Sequence, residues 1–463
     1  MIKEFLVTHT KRIARNILIA QARRIGLSKA QKRLDRLITS AMQRSLTATI
    51  ERAFERTDAY VWLLRVKSDS SVSQEVTRIE NACKDAVRRH NHENRVVVFT
   101  DPLRVEVLKE RPDKVSLVDN LNKLAKLKPN QFAFAPGVRQ RVSDHVLHTM
   151  TLNDAEVAQM LIAGATGSGK TLLAVSILTT MALLNSPDKL AMLVIDPKAV
   201  DIGNTAIASL PHLAHPVITE PALGVTAIYR LATEMKNRKI AIQEHTARGQ
   251  RWAIPFKIFC YVDEIGDLVE NDSQVTDALA WIAAQGRGLG IHLCLATQRP
   301  TVDVIAGGIR ANLTARFVGW VRGADESRIA TGLPQSGCED LQGSGMFNLF
   351  TRANKQSIQG FFVDLDKDLP GLITRITTSH KASKPAWTLS NLSPTEDLPE
   401  EIMQEAKEDN SALYKLVKEK MQAGEEPSLN KLSEMRVELD GKTLGRAQAK
   451  ELIRRIKEEM GVN

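Results

Sequence analysis

Residues Gly164 to Thr171 read GATGSGKT, the GxxxxGK[ST] spacing of a loop that wraps phosphate groups. The apolar run QMLIA precedes it and an apolar helix-forming stretch follows, which is the context such a loop requires. Gly164, Gly167 and Gly169 let the backbone close round phosphate oxygens, with Ala165, Thr166 and Ser168 contributing N–H groups between them. The helix that begins at Lys170 presents its positive end to the same point. Lys170 is expected to contact the β- and γ-phosphates of ATP, and the Thr171 hydroxyl to bind Mg²⁺.

A phosphate loop needs an acidic partner at the end of another buried strand, and KIFCYVDE supplies one in Asp263 and Glu264. Adjacent carboxylates directly after an apolar run cost desolvation and repel each other, which points to cation and water handling. Asp263 is the expected Mg²⁺ ligand through water, and Glu264 the base that polarises an attacking water. A third strand, IHLCLATQRP, ends in Thr297 and Gln298, and Gln298 is the expected γ-phosphate sensor. Arg287, between Gly286 and Gly288, reads as an exposed arginine at a subunit edge or as a merely solvated one.

These groups need a scaffold that brings several strand ends to one edge. Between Ala158 and Asp364 apolar strands alternate with helical stretches at 222 to 248 and 273 to 286, which predicts a parallel sheet covered on both faces. The expected fold is therefore α/β, a P-loop core over 157–378. Before it, residues 57–156 read as a small α/β domain with its connection, from the strand-like YVWLLRV, RVVVFTD and LRVEVL and a helix between Ser73 and Arg89. Residues 379–410, with Pro, Ser and Thr, read as a linker, and 411–463 return to helical periodicity.

The chain has 463 residues, 43% hydrophobic and 25% charged, an ordinary balance that excludes wholesale disorder. Its formal charge of +9 is matched by residues 1–56 alone, where thirteen Lys or Arg face four Asp or Glu. That segment reads as a basic amphipathic helical arm, either packed on the next domain or serving DNA, a membrane surface or a protein partner. Cys83, Cys260, Cys294 and Cys338 form no CxxC pair and read as reduced core thiols, which fits the cytoplasm. No apolar run is long enough for membrane insertion, and no signal peptide is expected at Met1.

The segment from Met160 to Asp364 resembles the motor domain of the FtsK/SpoIIIE family of DNA translocases. The resemblance is carried by LIAGATGSGKT, VIDPK at 194 to 198, LPHLAHPVIT at 210 to 219, EMKNR at 234 to 238, YVDEIGDL, GRGLGIHLCLATQRPTVDVI and DESRIA at 325 to 330. It implies a RecA-like core, assembly as a ring, usually a homo-hexamer, and ATP bound between subunits with duplex DNA in the channel. It aligns Arg287 with the family's arginine finger, and Asp196 and Lys198 with a DPK motif whose role reads as supportive. The last sixty residues resemble the family's winged-helix module, in which Arg446, Lys450 and Arg454 on the third helix would meet DNA. The basic arm and the lack of an N-terminal membrane anchor depart from the cell-division members.

The function these features predict is an ATP-hydrolysing double-stranded DNA translocase. The alternatives are a conjugative coupling or DNA-packaging ATPase of a mobile element, or a secretion-type ATPase that moves polypeptide.

Overall fold

The computed structural model describes most of residues 32–40 and 48–394, with short interruptions and a few isolated positions beyond. The greater part of the basic arm, and Arg446, Lys450 and Arg454, lie outside the described residues.

A four-stranded antiparallel sheet is built from β1 (Ala48–Glu55), β2 (Ala59–Val66), β3 (Val96–Thr100) and β4 (Leu103–Leu108), in the order β1-β2-β4-β3. Helix α1 (Val72–Val87) connects β2 to β3. Its core holds Trp62, Val105, Ile79 and Cys83, together with Leu34 and Ile38 from the helical stretch at 32–40. The buried Asp35 carboxylate accepts the Trp62 indole N–H at 2.9 Å. Leu34 and Ile38 thus pack on this domain, one of the readings of the arm expected over 1–56, which is corrected at its end, where Ala48–Glu55 is a strand, not helix. Ile50 and the buried Ala53 stand three residues apart because a bulge between Ile50 and Arg52 interrupts the strand's period of two.

The second sheet has ten strands. Short β5 (Val115–Ser116) leads into α2 (Leu117–Leu124), followed by β6 (Ala133–Gln140), β7 (His145–Thr151) and β8 (Met160–Ala163). Helix α3 (Lys170–Leu184), β9 (Leu190–Ile195), α4 (Pro221–Ala247) and β10 (Lys257–Val262) come next. After β10 come α5 (Ile265–Asn271), α6 (Val275–Gln285), β11 (Ile291–Thr297) and α7 (Gly307–Asn312). The sheet is completed by β12 (Ala315–Val318), α8 (Ala324–Thr331), β13 (Met346–Phe350), β14 (Lys355–Phe362) and α9 (Leu369–Ser379). The strand order is β7-β6-β14-β13-β12-β8-β11-β10-β9, with β5 beside β14.

The five strands β12, β8, β11, β10 and β9 are mutually parallel, with one strand between the P-loop strand and the Asp-Glu strand. This is the RecA-like arrangement. Met160, Phe259 and Cys294 face a core with α3, while Leu161, Cys260 and Leu293 face one with α4 and α6. Burial on both faces explains why these strands read as continuous apolar runs. All four cysteines are free and buried, and burial pushes the Cys83 thiol up to about 12.

Two boundaries differ from expectation. Residues 115–151, read as domain and connection, pair into the large sheet, so the smaller unit ends after β4. Residues 122–156 read as the connection on Pro129, Pro136 and Gly137, but the last two sit at a bulge in β6, where Gly137 lies so close to β14 that a Cβ would fall 2.1 Å from the Gln359 carbonyl. Part of the expected linker is likewise packed on the core. Trp387, Leu389 and Leu392 lie against it, and the Ala386 and Leu389 amides donate to the Pro187 and Ala214 carbonyls at 2.9 and 2.8 Å. Among the described residues no helix is long and apolar enough to cross a membrane.

His212 and His292 are fully buried, and desolvation first of all pushes them from 6.5 down to about 4 and about 3. Both stay neutral in the folded chain while the unfolded chain takes up protons. Their contribution to stability is complete above 6.5 and is lost as the pH falls from there toward about 4. Urea unfolding between those pH values is expected to show stability declining by up to about 2.7 kcal/mol per unit from this pair. His292→Gln should halve that contribution.

Candidate nucleotide site

The parallel strands bring the ends of β8, β10 and β11 to one edge, and the groups singled out by their chemistry meet there. The P-loop is tied to both neighbouring strands: the Gly164 amide donates to the Thr297 carbonyl at 3.2 Å and the Ala165 amide to the Trp320 carbonyl at 2.8 Å. Gly167 and Gly169 have φ of 87° and 96°, in the left-handed region where a side chain is strained. Gly169 has a second requirement, because a Cβ there would come within 2.8 Å of Gly345 backbone. The turn Gly343–Gly345 supports the loop from outside, its Ser344 and Gly345 amides donating to the Gly167 and Ser168 carbonyls at 3.1 and 2.8 Å.

Lys170 turns across to Asp263. Its ammonium donates to Asp263 Oδ1 at 2.6 Å and to the Asp263 carbonyl at 3.0 Å, with the two side chains 4% and 0% exposed. The Tyr261 hydroxyl donates to the same Oδ1 at 2.5 Å, and burial followed by the Asp263 charge raises its pKa well above the usual phenol range. Asp263 Oδ2 and Ser168 Oγ are buried without a hydrogen-bond partner. The Thr171 hydroxyl donates to Asp201 Oδ1 at 3.3 Å.

Glu264 is held from β11. Oε1 accepts from the Thr297 hydroxyl at 2.6 Å, Oε2 accepts from the Gln298 amide at 2.9 Å, and Lys198 Nζ lies 3.6 Å from Oε2. The Gln298 side chain accepts from the Thr166 hydroxyl at 3.2 Å, which links the strand end to the P-loop. Asp196 acts through the backbone: its Oδ2 accepts from the Ile202 and Gly203 amides, both at 2.8 Å, shaping the loop that carries Lys198 and Asp201. Nearby Asp267 is raised by burial first, with Glu264, Glu270 and Asp263 adding and Lys198 opposing.

Lys170, Thr171, Asp263, Glu264, Thr297 and Gln298 therefore converge. Arg287 does not. It lies exposed in the 3-10 turn Gly286–Leu289 before β11, at the opposite edge of the sheet. The seven residues of β11 between the edges span roughly 20 Å, beyond the reach of any side chain. At that edge burial lowers Lys257 to about 8, and the Arg287 charge adds to the effect. Sequence reasoning did not find Asp201, Tyr261 or the Gly343–Gly345 turn, and it gave Lys198 no contact with Glu264. Asp201 and Lys198 had a local signal, since both follow the end of β9, which pairs with the Asp-Glu strand β10. The Gly343–Gly345 turn had only its glycines.

The donor set fits a polyphosphate with a hard divalent cation. The Lys170 ammonium suits phosphate oxygens, and the Thr171 hydroxyl and a carboxylate with a free oxygen supply hard ligands.

Residues 120–253 match the FtsK/SpoIIIE family. A DNA translocase FtsK from Streptococcus pyogenes serotype M3 is 33% identical over 251 residues, which cover 50% of this chain and 31% of that protein. The DNA translocase FtsK of Sporosarcina ureae is 35% identical over 248 residues, 49% of this chain and 31% of the other. The chain thus spans about a third of the length of these curated relatives. Among solved structures, the pCW3 conjugation coupling protein TcpA in a monomer form with ATPgS superposes with a TM-score of 0.49 at 18% identity, over 74% of this chain and 99% of that one.

The Lys170–Asp263 pair has a testable energetic consequence. Asp263→Ala leaves an ammonium 4% exposed with no counter-charge, and is expected to cost about 3–5 kcal/mol in nucleotide-free denaturation. Asp263→Asn, which retains an accepting oxygen, should cost less.

Proposed function

We propose that this chain is an ATP-driven translocase of double-stranded DNA that works as a ring-shaped oligomer, a homo-hexamer, and hydrolyses ATP at subunit interfaces with Mg²⁺. The observation that carries the reading is the division of the candidate machinery: a nucleotide edge equipped with Lys170, Thr171, Asp263, Glu264 and Gln298, and an exposed Arg287 at the opposite edge. An arginine placed there can complete only another subunit's site.

In this reading the P-loop amides and Lys170 neutralise the phosphate oxygens, and Lys170 exchanges its Asp263 partner for them. Thr171 and Asp263 would hold Mg²⁺, the unpartnered Asp263 Oδ2 being the oxygen available to it. The bound ion supplies charge neutralisation at the transferring phosphoryl group. Glu264, oriented by Thr297 and the Gln298 amide, accepts the proton of the attacking water. Gln298 reports the γ-phosphate to the P-loop through Thr166. Arg287 of the adjoining subunit stabilises the charge that develops in transfer. The family relatives are named DNA translocases, which favours duplex DNA as the track. Phosphate contacts give a grip independent of sequence and sensitive to salt, as a moving track requires. DNA contact by Arg446, Lys450 and Arg454, and a protein partner for the N-terminal arm, extend the same reading.

Steady-state ATP hydrolysis is expected to rise with linear duplex DNA well above the rates with single-stranded DNA or a polyanion. Lys170→Ala should abolish both nucleotide binding and turnover. Arg287→Ala should retain nucleotide affinity and lose about a thousandfold in kcat. Stimulation by the polyanion equal to that by duplex DNA would overturn the DNA reading in favour of polypeptide transport.

A further inference from the structure

Arg287 stands on the single 3-10 turn Gly286–Leu289, whose closing bond is the Gly290 amide to the Arg287 carbonyl at 3.1 Å. One turn of this kind has little stiffness of its own. A buried guanidinium from α4 supplies it. Arg238 is 3% exposed, and its Nη1 donates to the Leu289 carbonyl at 2.7 Å and to the Phe256 carbonyl at 3.0 Å. One nitrogen thus ties the end of the turn to the residue preceding β10. Nε donates to Glu234 Oε1 at 2.8 Å, one helical turn away, and the guanidinium lies 4.4 Å over the Phe256 ring. Gly290 closes the arrangement at φ 72°, where a Cβ would come 3.2 Å from Nη1.

A second brace comes from Gln159, just ahead of the P-loop strand. Its Nε2 donates to the Ile291 carbonyl at 3.3 Å and its Oε1 accepts from the Leu293 amide at 2.6 Å. Helix α4 itself runs between the two edges. At Gly224 it packs so tightly on Ile195 and Leu268 that a Cβ would lie within 2.9 Å of both, and fourteen residues later it carries Arg238, roughly 21 Å along its axis.

We propose that Glu234 and Arg238 form a positioning pair for Arg287, setting the height and direction at which that arginine is presented to an adjoining subunit. The pair acts on the neighbour's hydrolysis and not on its own chain's nucleotide site. The inference rests on the shared-site reading above. Its physical basis is that charge-assisted hydrogen bonds to two carbonyls fix the turn against α4 and β10, whereas an unbraced turn is free to shift. A displacement of about 1 Å in a group that stabilises a transition state can cost on the order of a hundredfold in rate.

Mixed-subunit hydrolysis in the full-length protein, with duplex DNA, tests this. Lys170→Ala subunits retain Arg287 but hydrolyse nothing, and Arg287→Ala subunits retain a complete nucleotide edge. Mixing these two should restore activity above the sum of the separate preparations. Arg238→Gln is expected to lose on the order of a hundredfold in kcat with KM for ATP little changed. It should regain activity when mixed with Lys170→Ala and gain none when mixed with Arg287→Ala. Arg238→Lys, able to reach one carbonyl, should recover part of the loss. If Arg238→Gln shows no cooperative melt, Glu234→Gln takes its place, with a smaller loss in the same pattern. Recovery in the mixture with Arg287→Ala, or none with Lys170→Ala, would overturn the positioning role while leaving the shared site standing. Failure of Lys170→Ala with Arg287→Ala to complement would sink the shared site, and this inference with it.

Discussion

The ion pair between Lys170 and Asp263 places two charges where almost no water reaches, and most of the core's design follows from keeping both satisfied. Desolvating an ammonium and a carboxylate costs several kcal/mol each after relaxation, so their mutual attraction suffices only with excellent geometry and further hydrogen bonds. Tyr261 and the Asp263 carbonyl provide those bonds. The arrangement still leaves Asp263 Oδ2 without a partner. An anionic, cation-bearing ligand suits both charges at once, since it offers the ammonium new oxygens and brings a positive charge to the carboxylate. The pair is then a preformed clamp whose unpartnered carboxylate oxygen such a ligand would satisfy.

Such a clamp demands rigid supports, and they lie in the parallel sheet. Strands buried on both faces have no solvated side on which to twist freely, so the ends of β8, β10 and β11 keep their relative heights. The opposite ends of the same strands are held by a separate polar cluster. Lys257 donates to the Leu152 carbonyl and lies 3.3 Å from His292 Nε2, while Gln159 satisfies the Ile291 carbonyl and the Leu293 amide at the start of β11. Both edges are therefore fixed by buried hydrogen bonds, with apolar packing between.

The nucleotide edge was legible in the sequence because its information is local. GATGSGKT begins directly after one apolar run that must be a strand and Asp263 and Glu264 directly after another, and alternation of strands with helices makes those strands parallel. The exterior of the domain was less legible, because it depends on contacts distant in sequence. Gly343–Gly345 supports a loop some 175 residues earlier through backbone groups that no side-chain pattern announces. Pro136 and Gly137 looked like a break because a bulge uses the residues of a turn. Trp387, Leu389 and Leu392 are too widely spaced among Ser and Pro to show a periodic face, yet three anchors suffice to hold an extended segment on the core. Arg238 was visible only as part of a family signature, and its role is set by carbonyls that become neighbours once α4 lies across β10 and β11.

The position of Arg287 constrains how copies of this chain meet, if the arginine serves a second site. The donor edge and the acceptor edge are different surfaces of one sheet, so the contact joins unlike patches. A contact of that kind is heterologous, and repeated it either closes into a ring or extends without end. Closure gives every copy one donated and one received arginine, so no site is left incomplete and no donor edge is left bare. It also makes each copy's α4 and its bracket at Arg238 an element of the neighbour's chemistry, so that the order in which sites fire is a property of the interfaces. A nucleotide edge that is complete in one chain except for its arginine suits such an arrangement, because hydrolysis then requires that the next subunit be seated.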